Sequence, residues 1–509
     1  MSIHIDPRLT TGTISPYLHG QFIEFLGECI DQGLWVGTDS SIPNIDGIRT
    51  DAIKALKALK PPLLRWPGGC YADTYHWRQG VGPRNQRPVG YNENFGTYQP
   101  DGHGFGTDEF LRLCQAVGAE PWINVNMLSG SVTEMRDWME YCNRPSGTAM
   151  SAMRATNGHP SPYGVKFWGL GNEPWAGGGT MTPSMYADRY RMFASAMPTF
   201  AEKGDQSPMI RPIACGPDGN KPMERVRWTR DFFQALAQYR QPPIAAYDLH
   251  FYNWNIDHAD DTSTQFDQVG WDRVIRGALE LGEVIDQQWN LMQACLATMP
   301  HPESTMDSRL TKVDLVMGEW GNWHGDAFTA RPALRQQVTM RDAVTSALTL
   351  DILQSRCNKV SMACNAQTLN VLNSLILTEN EDTILTPNYD VFMMYRCHQG
   401  ARAIQSLPEA GNPSLHVFAS VKDGHIMVDL VNADMASAGE ATLTLPEPVR
   451  PAGMQSLSAE DPHACNTRSD PDQVRARQVD VSDIPEGREI TVRLDPASVN
   501  VLDLAMPES

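Results

Sequence analysis

Two glutamates carry the chemistry that this sequence offers. Glu173 lies in Lys166-Phe-Trp-Gly-Leu-Gly-Asn-Glu-Pro-Trp175, and Glu319 lies in Val313-Asp-Leu-Val-Met-Gly-Glu-Trp-Gly321. In both places an apolar run of strand length leads to a carboxylate. Paired carboxylates at the ends of buried strands are what glycoside hydrolysis requires. One protonates the leaving oxygen, while the other attacks the sugar carbon or activates water there. A single glutamate at a strand end is more often a solvated loop residue or a helix cap. Two in matched settings favour catalysis.

Something must hold those two groups face to face. Apolar runs of strand character fall at Leu18 to Glu24, Leu63 to Pro67, Pro121 to Asn126, Lys166 to Glu173, Pro212 to Gly216, Ala246 to Tyr252, Val313 to Glu319 and Lys359 to Asn365. Helical patterns separate them. Phe110, Leu113, Cys114 and Val117 form one stripe, closed by Gly118, and a second helix opens at Thr182-Pro183 with Tyr186, Tyr190, Phe193 and Met197 along its inner face. Eight strands alternating with helices predict an α/β fold, a (β/α)8 TIM barrel, over residues 16–384. From Leu415 the pattern changes to strict alternation, and Lys422-Asp-Gly424 is a hairpin signal between two alternating segments. Residues 385–509 therefore read as a C-terminal antiparallel β-sandwich, which the opening residues 1–15 can join. The segment from Ala459 to Arg477 is polar and reads as a loop.

In such a barrel the carboxyl ends of the strands carry the active site. Glu24, Arg65-Trp-Pro-Gly-Gly-Cys70, Asn124, Asn126, Asn172, Glu173, His250, Tyr252, Glu319, Trp320, Asn365 and Gln367 all fall there. This ring of carboxylates, amides and aromatics has no basic phosphate clamp and suits a neutral polyhydroxylated ligand. Blander roles exist for several members. Trp66, Trp168, Trp175 and Trp320 can all be barrel packing, and Trp168 is read so. His250 has no second histidine at metal-ligand spacing and reads as a hydrogen-bonded histidine. Glu24 can be a third catalytic acid, but binding a sugar hydroxyl is the more economical role. Gly177-Gly-Gly179 lacks the Lys-Ser/Thr ending of a phosphate loop.

The 509 residues carry a net charge of −19 and a pI near 5.1, which repels phosphate backbones and anionic membranes. Nucleic acid and membrane partners are therefore not expected. Acidity by itself is explained by solubility. Ten cysteines are scattered without CxxC pairs or Cys/His clusters, so no metal site is read from them. The opening Met-Ser-Ile-His-Ile-Asp has no basic and then apolar leader, and no apolar stretch reaches the length of a membrane span. A reduced, cytoplasmic protein is expected.

The motifs together resemble the family 51 glycoside hydrolases, chiefly α-L-arabinofuranosidases. They are His19-Gly-Gln-Phe-Ile-Glu-Phe-Leu-Gly27, Arg65 to Asp73, Tyr75-His-Trp-Arg78, Gly169-Leu-Gly-Asn-Glu-Pro-Trp175, His250-Phe-Tyr252, Gly318-Glu-Trp-Gly321, Asn365-Ala-Gln-Thr-Leu-Asn370 and Tyr389 to Tyr395. The resemblance implies Glu173 as acid/base and Glu319 as nucleophile of a retaining enzyme without metal or organic cofactor. It implies that Glu24, Cys70, Asn172, Tyr252 and Gln367 line the subsite for one furanose ring, with Trp175, His250 and Trp320 beside them. The implied substrates are arabinose-containing oligosaccharides, cleaved from the non-reducing end. The implied assembly is a homo-oligomer, a trimer or hexamer. Rival readings are a β-xylosidase or endo-glucanase on the same machinery, a non-catalytic carbohydrate-binding protein, and a metal-dependent hydrolase.

Overall fold

A computed structural model describes residues 1–200, 210–238, 240–299, 312–408 and 412–507. Eight strands close a barrel. Numbered within the barrel, they are β1 (Gly20–Phe22), β2 (Leu63–Trp66), β3 (Glu120–Val125), β4 (Phe167–Leu170), β5 (Arg211–Asp218), β6 (Ala246–Asn255), β7 (Asp314–His324) and β8 (Val360–Asn365). The pairings β1–β2, β2–β3, β3–β4, β4–β5 and β5–β6 are all parallel. Such strands are covered on both faces, which is why they read as continuous apolar runs rather than alternating ones.

The strand limits differ from the sequence reading in ways that matter for chemistry. The run expected over Leu18 to Glu24 is a short 3-10 turn, Pro16–His19, followed by only three strand residues. Strand β4 stops at Leu170, so Glu173 stands beyond the strand on a turn. Gly171 ends the strand by taking φ +89°, open to it because it lacks a Cβ. Strand β7 instead continues five residues past Glu319, which therefore sits inside a strand rather than at its end.

The helices follow the expected chemistry. Thr107–Val117 buries Phe110, Leu113, Cys114 and Val117 and ends at Gly118 in the left-handed conformation (φ +80°). Pro183–Ser195 begins with proline in its first turn, and the Thr182 hydroxyl accepts the Met185 N–H as a cap. Its buried face is Tyr186, Tyr190 and Phe193, whereas Met197 lies past the helix end. Trp168 is fully buried and meets Trp138 edge-on at 5.8 Å, and Trp66 stacks on Phe110 at 4.9 Å. Both are packing residues.

The C-terminal part is an antiparallel sheet built from 402–408, Leu415–Lys422, His425–Asn432, Gly439–Leu457, Arg477–Val479, Gly487–Leu494 and Ser498–Ala505. The N-terminal strand Ser2–Thr13 pairs with two of these strands, antiparallel with 402–408 and parallel with Gly439–Leu457. Inward-facing Ile3, Ile5, Ala419, Ile426, Val428, Leu443, Ile490 and Leu502 share one core. Asp423 and Gly424 turn the hairpin with φ of +51° and +82°, the pairing that a two-residue loop of this kind needs. By internal contacts the chain forms two compact units. One comprises Gly20–Phe251 and Val284–Trp320, the other Met1–His19, Tyr252–Glu283 and Gly321–Ser509. Among the described residues no helix is long and apolar enough to cross a membrane. All ten cysteines are free thiols.

Candidate active site

Within the unit holding Gly20–Phe251 and Val284–Trp320, the two glutamates meet around one imidazole. His250, on β6, places Nδ1 2.9 Å from Glu173 Oε1 and 3.6 Å from Glu319 Oε1. Side-chain oxygens of both glutamates and a nitrogen of His250 all lie within 4.8 Å of one another. The other ring nitrogen, Nε2, is 3.2 Å from Asp248 Oδ2. His250 thus faces three carboxylates. Burial opposes its charged form, but the negative charges of Glu319 and Asp248 outweigh that, and its pKa is held well above the ordinary imidazole value.

Glu319 has a second cationic neighbour. Arg65, on β2, is fully buried and donates from Nη1 to Glu319 Oε1 at 2.7 Å and from Nη2 to Asn172 Oδ1 at 2.6 Å. The rigid guanidinium fork therefore holds one catalytic candidate and the neighbour of the other at the same time. A buried guanidinium without such partners would be strongly destabilising. Glu173 has a different environment. Burial raises its carboxyl pKa, and the nearby Glu319 charge pushes the same way, while the His250 hydrogen bond offsets part of the shift. One carboxylate is thus clamped by arginine and the other is biased toward its protonated form. This division is what acid and nucleophile need.

The backbone around Glu173 is built for this position. Glu173 has φ +38°, a left-handed value that is uncommon for a non-glycine residue. Its carbonyl accepts the N–H groups of Ala176 and Gly178, forming a tight turn. A Cβ on Gly178 would lie 1.9 Å from the Asn172 carbonyl oxygen, so no larger residue fits there. Gly69 plays the matching part on the other side. Its N–H donates to Glu24 Oε2 at 3.0 Å, and a Cβ there would stand 3.0 Å from Glu319 Oε1. The bare glycine keeps the space between Glu24, Asn172 and Glu319 open.

The remaining expected residues divide between the two units. Glu24, Asn172, Glu173, His250 and Glu319 gather in this one. Cys70 adjoins them, and burial followed by the charges of Glu173, Glu319 and Glu24 pushes its thiol pKa well up, so it stays a neutral thiol. Trp175 is half-buried and donates from Nε1 to the Gly216 carbonyl at 3.1 Å, while Trp320 is buried. Tyr252 and Gln367 belong to the other unit. There Tyr252 is buried and meets Trp323 edge-on at 5.3 Å, and Gln367 is buried with its N–H on the Val371 carbonyl.

The sequence places Arg65 at a strand end but gives it no role of its own, and it gives none to Asp248 or Asp73. Arg65 left a signal, because an arginine inside Leu63-Leu-Arg-Trp66 must be buried and hence paired. Asp248 left a weaker one, two residues before His250 on the same strand face. Asp73 is almost fully buried near Glu173, and burial raises its pKa well above the ordinary carboxylate value. Glu173, His250 and Glu319 also have donor types suited to a metal ion. With His250 protonated, however, each of its nitrogens carries a hydrogen directed at a carboxylate, and neither offers a lone pair to a cation. Ser420, His398 and Asp429 meet as well, at 2.7 and 2.9 Å from the imidazole. All three are wholly buried in the other unit and are packing, not a reaction centre.

A parallel barrel with two opposed carboxylates at the mouth, one arginine-clamped and one burial-shifted, defines a glycoside hydrolase of the retaining barrel type. Comparison with known proteins narrows the class. A model of the α-L-arabinofuranosidase 1 domain matches residues 55–271, and a model of the α-L-arabinofuranosidase C-terminal domain matches residues 318–498. An intracellular exo-α-L-arabinofuranosidase of Bacteroides ovatus is 36% identical over 442 residues, covering 84% of this chain and 80% of that protein. The crystal structure of the GH51 arabinofuranosidase from Xanthomonas axonopodis pv. citri superposes with a TM-score of 0.88 at 30% identity, covering 99% of each chain. An arabinose complex of α-L-arabinofuranosidase from Thermotoga maritima gives 0.82 at 27%, covering 99% of this chain and 100% of that one. The chain belongs to the α-L-arabinofuranosidase family, glycoside hydrolase family 51.

Proposed function

We propose that the protein is a retaining exo-α-L-arabinofuranosidase. It removes terminal non-reducing α-L-arabinofuranosyl residues from arabino-oligosaccharides or arabinoxylan-derived fragments, with Glu173 as acid/base and Glu319 as nucleophile. The observation that carries the mechanism is the closeness of the two carboxyl groups, one oxygen of each lying within 4.8 Å of the other and both meeting the same imidazole. Retaining enzymes bring them to about 5–5.5 Å, whereas inverting ones hold them roughly 6.5–9.5 Å apart to admit a water.

In the first step Glu173 gives its proton to the departing glycosidic oxygen as Glu319 attacks the anomeric carbon. The glycosyl ester that forms consumes the negative charge of Glu319. Its loss removes one cause of the raised Glu173 pKa, so Glu173 ionises more readily and accepts a proton from the incoming water. Asn172, held by Arg65, is assigned to the sugar 2-hydroxyl, a contact that strengthens as oxocarbenium character develops. Glu24 and Cys70 are assigned to the remaining furanose contacts. His250 is assigned to the charge state of the pair, with Trp175 and Trp320 as walls. No metal or organic cofactor takes part. Residues 16–384 are read as the catalytic barrel, and residues 385–509 with the first fifteen as the β-domain.

A hydrolysis screen tests this reading. Aryl α-L-arabinofuranoside and linkage-defined arabino-oligosaccharides should be cleaved, with the first-formed product the α-anomer by NMR. Preferred cleavage of aryl β-xyloside or soluble glucan would replace the arabinofuranosidase reading with one of its rivals. First-formed β-anomer would replace the retaining mechanism. The named location of the Bacteroides ovatus relative supports a cytoplasmic setting.

Assembly gives a further expectation. A homo-oligomer, trimer or hexamer, is proposed from the family resemblance, with each lasting interface burying over roughly 1,000 Å². Light scattering should give a multiple of the 56.5 kDa chain mass at micromolar concentration, and the single-chain mass there would refute it.

A further inference from the structure

Asp248 lies behind the catalytic pair, and its carboxylate is held at both oxygens. Oδ1 accepts the Gly318 N–H at 2.5 Å, and Oδ2 faces His250 Nε2 at 3.2 Å. Gly318 immediately precedes Glu319, and a Cβ on it would lie 2.4 Å from Asp248 Oδ2. Asp248 therefore ties the β7 backbone beside the nucleophile to the imidazole beside the acid. We propose that Asp248 is a positioning residue that keeps a proton on each nitrogen of His250, so that an imidazolium faces Glu173 and Glu319 through both chemical steps.

The inference rests on the acid/base and nucleophile roles proposed above. Before reaction, the anions facing His250 are Asp248 and Glu319, and Glu173 holds its proton. After the first step the Glu173 proton is on the leaving group, and the Glu319 charge is in the ester bond. The anions are then Asp248 and Glu173. Asp248 is the partner common to both states. A neutral imidazole has one N–H, and the loss of the second would withdraw either the hydrogen facing Glu173 or the one facing Asp248. The other ionisable neighbours do not supply this role. Arg65 approaches Glu319 from β2. Asp218, on β5, acts on His250 and Glu173 through its charge, but among the described residues it makes no hydrogen bond to the imidazole, whereas Asp248 Oδ2 lies 3.2 Å from Nε2. Lys221 and Arg225 act on Asp218. Glu24 and Asp73 act on Cys70, as do Glu173 and Glu319.

The test uses the sign of a pH shift. Removing the Asp248 charge by itself would lower the pKa of nearby acids, because an anion repels their ionised forms. Removing it together with the His250 charge would raise them. Asp248→Asn should therefore move both limbs of the kcat/KM profile up by about 1 pH unit, the scale of one lost neighbouring cation. In a His250→Gln background the same substitution should leave the limbs in place or move them down. A merely structural role would lower the rate without moving either limb. An unmoved or down-shifted bell in Asp248→Asn alone, or an equal upward shift in both backgrounds, overturns the proposal. Glu173→Ala provides the separate control. If that variant keeps the basic limb, the acid/base assignment fails instead. Should Asp248→Asn not fold, nitrogen-15 spectra of the wild type, assigned by the His250→Gln difference, give the answer. Both ring N–H signals should persist above pH 8, and titration near the ordinary imidazole value overturns the inference.

Discussion

Glu319→Ala is expected to lower hydrolysis on the order of 10⁴–10⁶-fold, the scale seen when a covalent nucleophile is removed. The argument lies in its surroundings. Glu319 is held by Arg65 at 2.7 Å and lies 3.6 Å from His250, so its oxygen cannot drift from the line of attack. Alanine leaves a cavity on that face and two cationic neighbours without their anion. Azide, small and anionic, fits such a vacancy. It should restore part of the activity on an aryl α-L-arabinofuranoside and give the β-configured azide, because one displacement inverts. Circular dichroism should be checked alongside, since Arg65 loses a buried partner and part of the loss can be stability. Wild-type turnover in the folded variant, or an α-configured azide, would remove Glu319 from the nucleophile role.

How much of this was legible in the sequence depended on which interaction set each feature. The barrel strands were legible because burial on both faces leaves a continuous apolar run, as in Trp122 to Val125 or Leu315 to Met317. Their ends were not, because Gly171 and the left-handed Glu173 are decided by the turn beyond β4. The far half of β7 was missed for a related reason. Gly321-Asn-Trp-His324 breaks the apolar run, yet Asn322 and His324 are buried and bonded to Asp342. Such a polar core pairs residues distant in sequence, and only the fold shows them together. The same holds for Arg65 with Glu319 and for Asp248 with Gly318. The chemistry-bearing glutamates could be named from their local setting, but the groups that set their charge could not.

The division of labour between the glutamates predicts what Glu173→Ala should do. Substrates with poor leaving groups, such as arabino-oligosaccharides, should slow by about 10²–10⁴-fold, the usual worth of general acid–base assistance. An aryl substrate with a very acidic phenol departs without protonation, so its first step should survive. Deglycosylation still lacks a base, and the glycosyl-enzyme on Glu319 should accumulate, seen as a burst of phenol equal to the enzyme concentration. Azide should then speed turnover and give the α-configured azide, because the second displacement inverts again. The wild-type kcat/KM profile should fall on its basic side as Glu173 loses its proton. Burial raises that pKa and keeps the acid protonated further up the pH scale than an exposed glutamate, and Glu173→Ala should lose this limb. The opposite azide stereochemistry in the two variants separates the roles without reference to absolute rates. If both substrate classes slow equally and azide has no effect, Glu173 only positions the sugar. The proton must then come from another acid, and Glu24, buried across Gly69 from Glu319, is the first to replace.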